Sequence, residues 1–341
     1  MAEAALAQAD ELVSTVGCAD AISALTDANL TLRDPNIERR LVELRSQGYE
    51  QLESSPGPTR WPPEADDLFP GAVGPPEVSP TELTPEALTS AIRHHGSLLV
   101  RSLIDRRTVR RLVKNIDRTF HAYDSSVASG GRATSPWFTP YTATAGGPDD
   151  FAQRSWLRES GGILAVESPP SLFAVIEAFE RAGIGRLVTS FLGEPPLLLA
   201  RKWTLRRISA RVWAPGDVPD WHQDGAFMGV HVHSINVWLA LSECGHDAPG
   251  LDLVARRFDG IMETGTHGAN FDWSVGQGVV DRMDQPRVVR PRFAPGDALI
   301  FDHLLLHRTA TDPSMRKSRY AIEAWFAGPS SYPADQGPIV Y

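Results

Sequence analysis

Cysteine is scarce in this sequence, with Cys18 and Cys244 the only two in 341 residues. They form no Cys-x-x-Cys pair, and two cysteines cannot build the disulfide framework of a small secreted protein. The first residues also lack the basic region and apolar stretch of a secretory signal. We therefore expect a protein of the reducing cytoplasm.

Long apolar runs and an excess of positive charge are missing too. No uncharged apolar segment approaches the roughly 18 residues that a membrane span needs. The chain has 33 Lys and Arg against 42 Asp and Glu, a formal net charge of -9, whereas nucleic-acid binding calls for a basic surface. The sequence thus predicts a small-molecule partner, with no nucleic acid and no membrane, and leaves monomer and homodimer equally open.

Composition divides the chain into three parts. Residues 1–80 start with apolar residues at loosely helical spacing and continue, from about residue 55, with many prolines and glycines. Residues 81–327 carry regular helix and strand patterns, and residues 328–341 follow them. We predict an N-terminal helical and irregular extension, one main domain and a C-terminal tail.

Helix signals come first in the main domain. Thr84, Pro85 and Glu86 supply an N-cap, a first-turn proline and a first-turn acid, which predict a helix to about His94. Apolar residues at helical spacing predict three further helices, over 105–121, 169–182 and 184–192.

Strand signals dominate from Pro196 onward, where short runs of branched and aromatic residues are separated by Gly, Pro and Asp. The predicted strands are 197–209, 230–241, 251–256, 287–293, 297–302 and 319–326. Helices followed by strands favour an α+β fold with a mainly β core, a jelly-roll barrel buttressed by the N-terminal helices.

The most informative segment is Trp-His-Gln-Asp-Gly at 221–225. Residues i and i+2 of an extended chain point to the same face, so His222 and Asp224 can reach a common ion. Two ligands hold a divalent metal weakly, and His307, which follows a Pro-Gly-Asp turn and an apolar strand, is the best candidate for the third. Two histidines and one carboxylate leave open positions on the ion, as in non-haem iron(II) oxygenases.

A carboxylate co-substrate would also need a cation in the same pocket, and Arg319 opens a predicted strand twelve residues after His307. A guanidinium binds a carboxylate in bidentate fashion. Arg316 is the competing candidate. We prefer Arg319 because it starts the strand and shares a face with Glu323 and Trp325.

Taken together, these motifs resemble the phytanoyl-CoA dioxygenase family over roughly residues 80–327. The matching motifs are His222-Gln223-Asp224, Asn236-Val-Trp238, Pro295-Gly296-Asp297 through His307, and Arg319. The resemblance implies a double-stranded β-helix, or cupin-like barrel, that uses iron(II), 2-oxoglutarate and dioxygen. It implies that the catalytic metal ligands are His222, Asp224 and His307.

The resemblance also implies contacts with the co-substrate. Arg319 would pair with the distal carboxylate of 2-oxoglutarate, beside the hydroxyl of Thr309. Asn236, Trp238 and Gln223 would lie against the co-substrate or substrate, although simple alternation points Gln223 away from the metal.

Lys202, Thr204 and Arg206 alternate onto one face of the strand before the metal motif. That face is either solvated or turned into the pocket, and we assign Lys202 to the co-substrate as a further expectation.

The implied activity is a dioxygenase reaction that hydroxylates, desaturates or cyclises a small molecule and releases succinate and carbon dioxide, and secondary metabolism is the setting we expect. Asp224 speaks against halogenation, because related halogenases have a small residue there. Residues 249–258 depart from the family pattern, so the substrate is not predicted. Tryptophans and arginines in and near the loops 123–150 and 256–285 would suit an aromatic or anionic molecule.

Two other functions are compatible with a barrel of this kind. One is a non-catalytic jelly-roll module whose metal site is structural or lost. The other is a cupin-type isomerase in which His231 and His233, two residues apart, hold the metal.

Overall fold

The computed structural model describes residues 1–52, 57–132, 135–141, 151–210, 219–284, 287–333 and 335–341, without the side chains of 151–153. Much of the predicted loop 123–150 therefore lies outside the described residues. The α-helices are α1 (Ala2–Thr15), α2 (Cys18–Leu32), α3 (Pro35–Tyr49), α4 (Pro85–His95), α5 (Arg106–Ala128), α6 (Phe151–Glu159), α7 (Pro169–Arg181), α8 (Ile184–Leu192), α9 (Gly225–Met228) and α10 (Gln277–Asp281). The strands are β1 (Glu77–Val78), β2 (Ser97–Val100), β3 (Gly162–Leu164), β4 (Leu197–Leu199), β5 (Thr204–Ile208), β6 (Ser234–Ala240), β7 (Gly250–Val254), β8 (Val288–Val289), β9 (Ala298–Asp302), β10 (His307–Ala310), β11 (Arg319–Ala327) and β12 (Pro338–Val340).

The helix signals of the sequence correspond closely to observed helices. Thr84 caps α4, since its Oγ1 accepts a hydrogen bond of 3.1 Å from the backbone N–H of Ala87. Helices α7 and α8 coincide with the predicted ones to within one residue. Helix α5 runs seven residues beyond its predicted end because its buried face continues through Ala122, Tyr123 and Ser126.

Two sheets form the core. The larger has nine strands, ordered β1-β2-β9-β6-β11-β4-β12, with β5 pairing with both β11 and β3. The smaller consists of β10, β7 and β8. Side chains of both sheets line one cavity, and the sheets do not close into a continuous barrel. The predicted α+β fold with a double-stranded β-helix core is confirmed.

The strands differ in detail from the prediction. The run 197–209 is divided into β4 and β5 by a turn, in which the N–H groups of Lys202 and Trp203 both donate to the carbonyl of Leu199. Trp203 causes this break: its indole N–H donates to the carbonyl of Trp325 at 2.7 Å, and its ring packs on Phe326. Strand β10 was not predicted, because His-Arg-Thr-Ala has no apolar pattern.

The N-terminal extension and the predicted tail both contact the main domain. Strand β12, in the tail, pairs with β4 at the edge of the large sheet. Helix α3 lies against β12, and the Arg45 guanidinium donates to the carbonyl of Val340 at 2.9 Å. Among the described residues, no helix is both long and apolar enough to cross a bilayer.

Leu41 tests whether the extension folds with the rest of the chain. Its side chain is fully buried in α3 and belongs to the same core cluster as the strands. Leu41→Ala should lower the free energy of unfolding by about 2–5 kcal/mol, with one cooperative transition in urea. Arg39→Ala, on the exposed face of the same helix, should change it little. A separate early transition would show that the extension is an independent unit.

Candidate metal centre

The centre is built on a backbone pairing between His222 and His307. The two residues exchange hydrogen bonds, His222 N–H to the His307 carbonyl at 2.9 Å and His307 N–H to the His222 carbonyl at 3.0 Å. Opposed residues of an antiparallel pair carry their side chains on the same face. The imidazole rings consequently lie side by side, with centroids 4.4 Å apart.

Each imidazole is oriented by a second hydrogen bond. His222 Nδ1 lies 3.3 Å from the carbonyl oxygen of Asp220, and His307 Nδ1 lies 3.0 Å from that of Leu305. With Nδ1 donating to a carbonyl, Nε2 is the nitrogen left to bind a metal.

Asp224 completes the set. One ligand atom from each of His222, Asp224 and His307 lies within 4.8 Å of the other two, close enough for one ion. His307 Nε2 is 3.7 Å from a carboxylate oxygen of Asp224. Burial, followed by the neighbouring His307, lowers the pKa of His222 to about 4. The ring is therefore neutral near pH 7, as a metal ligand must be.

His222 and Asp224 do lie together, but the prediction that both belong to one extended segment was wrong. Asp224 has helical backbone angles, φ -61° and ψ -24°, and precedes the short helix α9 instead of continuing an extended strand. At this turn the N–H of Gly225 donates to the carbonyl of His303 at 2.9 Å. Glycine permits the close approach, because a Cβ there would lie 2.7 Å from the His303 ring.

Trp221 holds the segment 221–225, the ligand segment, which carries two of the three metal ligands. It is 1% exposed and packs in a second apolar cluster with Val254, Val275 and Leu306. Its indole N–H donates to the side-chain oxygen of Gln277 at 3.0 Å. The segment is therefore fixed on both sides, by this cluster and by the pairing with His307.

A cavity of about 1010 Å³ opens above the three ligands, at the upper end of the range for small-molecule sites. Five of the predicted co-substrate residues line it: Arg319, Thr309, Lys202, Asn236 and Trp238. They come from both sheets and from the turn before β5, so the fold brings together residues that are up to 117 positions apart in the sequence.

Arg319 is buried at one end of the cavity. Its Nη1 donates to the carbonyl of Gly250 at 2.9 Å, and its guanidinium lies over the Trp238 ring. Its Nε has no hydrogen-bond partner among the described residues. Burial lowers the Arg319 pKa to about 10, which still leaves it charged near pH 7. Arg316 is exposed and donates to two backbone carbonyls outside the cavity.

Gln223 does not line the cavity. Its side-chain NH₂ donates to the carbonyls of Gly260 and Leu304 at 3.0 and 2.7 Å, and its oxygen accepts from Met262 N–H at 2.6 Å. The structure therefore agrees with simple alternation of side chains, which points Gln223 away from the metal. Its amide ties the ligand segment to the loop at 260–262 and is not available to a co-substrate.

Sequence reasoning noted Arg206 and Glu323 separately but missed that they form a pair inside the cavity. The Arg206 guanidinium donates to both carboxylate oxygens of Glu323, at 3.0 and 2.9 Å. Burial alone would raise the Glu323 pKa. The paired Arg206 is the main opposing cause, and the Glu323 pKa lies below its usual value. The clue was that both residues lie on cavity-facing positions of adjacent strands.

Phe227, Phe271 and Trp273 form an aromatic wall, of which the sequence had indicated Trp273 and not the two phenylalanines. Phe271 and Trp273 stack with centroids 5.0 Å apart, and Trp273 meets Phe227 edge-on at 5.5 Å. Trp273 also lies 6.0 Å from the His222 ring. The Asp220 carboxylate holds this loop by accepting from Asn270 and Ser274. Phe-Asp-Trp alternation at 271–273 was the available signal.

The alternative pair of histidines does not form a metal centre. His231 is exposed, whereas the His233 ring stacks on Trp61 at 4.7 Å. Within the described ranges, the one group of three metal-ligating side chains close enough to share an ion is His222, Asp224 and His307.

Comparisons with known proteins match the chain to one family. Residues 92–320 match the family model of phytanoyl-CoA dioxygenase. No curated protein matches the sequence significantly.

Several solved structures are similar at low identity. They include the α-ketoglutarate-dependent epimerase SnoN from nogalamycin biosynthesis (14% identity, 72% of this chain and 82% of that chain, TM-score 0.44). AviO1 from Streptomyces viridochromogenes Tue57 is 16% identical (71% and 94%, TM-score 0.43). EvdO2 from Micromonospora carbonacea var. aurantiaca, complexed with 2-oxoglutarate, is 17% identical (73% and 90%, TM-score 0.46).

The metal ligands can be tested without turnover. His307→Ala removes one of three ligands, so Co(II) affinity measured by calorimetry should fall by tenfold or more. His231→Ala, at an exposed histidine outside the centre, should bind Co(II) like the unmodified protein. The reverse result would place the metal at the 231–233 pair.

Proposed function

Because the chain belongs to the phytanoyl-CoA dioxygenase family, whose chemistry depends on iron(II) and 2-oxoglutarate, we propose that it hydroxylates a small molecule, with desaturation or ring closure as related outcomes. The carrying observation is the His222, Asp224 and His307 cluster at the base of a large cavity. Two histidines and a carboxylate, with space on one side, suit iron(II).

The residues also fit 2-oxoglutarate. Arg319 offers a buried, charged guanidinium whose Nε has no partner in the part of the chain that the structure describes. Such a donor is what a desolvated carboxylate needs. Thr309 lies on β10, two residues after His307, and lines the same cavity. A molecule with carboxylates at both ends can thus span from the metal ligands to Arg319.

When bound, iron(II), 2-oxoglutarate and dioxygen supply an oxidant that can remove hydrogen from an unactivated carbon, and the co-substrate becomes succinate and carbon dioxide. The contribution of the protein is positioning and exclusion of water. The His222 ring is neutral near pH 7, and both imidazoles are oriented through their Nδ1 hydrogen bonds, while Asp224 supplies a carboxylate. Trp238, Phe301 and Trp325 line the cavity beside the ligands and keep that side of it apolar.

Asp224 also bears on the outcome of the reaction. A carboxylate at this position takes one coordination site of the ion, so that site is closed to a halide. Hydroxylation or another hydrogen-removing reaction therefore follows more readily than halogenation.

The proposal predicts a spectroscopic signal. Under anaerobic conditions, addition of iron(II) and 2-oxoglutarate should produce a weak visible charge-transfer band. The band should be absent in His222→Ala, because one metal ligand is lost. Its absence in the unmodified protein would contradict the proposed function.

Arg319 and Arg316 form a matched pair for the co-substrate. Arg319→Gln removes the buried charge, so the concentration of 2-oxoglutarate that half-saturates the band should rise roughly tenfold or more. Arg316→Gln, at the exposed arginine, should leave it unchanged. Equal effects of the two substitutions would contradict the assignment of Arg319.

A further inference from the structure

Lys202 lines the same cavity as Arg319 and the metal ligands, but it comes from a different part of the fold. It lies in the turn between β4 and β5, two residues before Thr204. Thr204 pairs with Glu323 across β5 and β11, four residues and about 13 Å from Arg319 along the strand. The Lys202 Nζ sits 3.7 Å from the centre of the Phe227 ring, and Phe227 in turn lies beside His222. Lys202 therefore lies beside the aromatic ring next to His222, whereas Arg319 lies against Gly250 and Trp238.

Within the described residues, the Lys202 ammonium has no carboxylate at ion-pair distance. The nearby acidic groups that act on its charge are Asp224, Glu323 and Asp335. Asp224 belongs to the metal centre, Glu323 accepts from Nε and Nη2 of Arg206, and Asp335 lies at an exposed position. Burial lowers the Lys202 pKa, with Asp224 partly offsetting it. A partly buried ammonium with no carboxylate partner among the described residues is stabilised by an anionic ligand.

The aromatic wall defines what lies next to this charge. Phe227, beneath the ammonium, is followed by Trp273 and then by Phe271, which is 47% exposed at the rim. Trp156, which also lines the cavity, is 55% exposed. Large aromatic side chains exposed around a cavity are typical of a ligand-binding surface.

We infer that the primary substrate is a molecule with a flat unsaturated or aromatic body and an anionic group, in which the body lies on the aromatic wall and the anion binds Lys202. This inference rests on the proposed function and adds its substrate class. It also gives separate tasks to two of the cationic residues that line the cavity, with Arg319 binding the co-substrate and Lys202 binding the substrate. On this inference Lys202 contacts the substrate, whereas the sequence led us to expect a contact with the co-substrate.

The probes are 2-naphthoate and its neutral analogue 2-naphthamide, which share one flat body. Binding is measured by anaerobic calorimetry on the protein loaded with iron(II) and 2-oxoglutarate. The unmodified protein should bind 2-naphthoate roughly 10- to 100-fold more tightly than 2-naphthamide, since a hydrogen bond to a buried charge is involved. Lys202→Met should abolish this preference and leave the affinity for 2-naphthamide unchanged. Lys202→Arg should retain the preference.

Lys114→Met, at an exposed lysine on α5, is the matched control and should behave like the unmodified protein. Three results would overturn the inference: no preference for 2-naphthoate in the unmodified protein, a preference that survives in Lys202→Met, or loss of the 2-oxoglutarate charge-transfer band in Lys202→Met. The last would assign Lys202 to the co-substrate. Failure of the proposed function is distinct, because the band would then be missing from the unmodified protein as well.

Discussion

The site depends on the two backbone hydrogen bonds between His222 and His307. They join a loop to the first strand of the small sheet, and they do so at the two residues whose imidazoles must meet. Because the pairing is antiparallel, the rings share a face without help from side-chain packing. Trp221 and Leu306, each one residue before a ligand, are buried together in the second apolar cluster and hold the pairing in register. A slip of one residue would place the two imidazoles on opposite faces of the pair.

The metal ligands and Arg319 could be predicted from the sequence because each carries chemistry that few other positions could supply. A His-x-Asp segment, a histidine after a turn and apolar strand, and an arginine opening the next strand together specify a metal and a carboxylate. The helices were accessible for a different reason, since Thr84 and Pro85 act locally at the start of α4.

Features that depend on tertiary contacts could not be predicted from the sequence. Asp224 turns into a helix because Gly225 packs against His303, 78 residues away in the sequence. Strand β10 exists because β7 pairs with it, not because its own residues favour a strand. Gln223 shows the same limit, since the family resemblance placed it near the co-substrate and its three backbone partners lie on the opposite side.

Asp220 connects the metal centre with the aromatic wall. Its backbone carbonyl orients the ring of His222, and its side chain holds the loop that carries Phe271 and Trp273. The metal ligand His222 and the aromatic wall are thus both held by a single residue. The distance between the metal centre and the aromatic surface is therefore fixed by one side chain and its own backbone, so the two halves of the cavity are built to one scale.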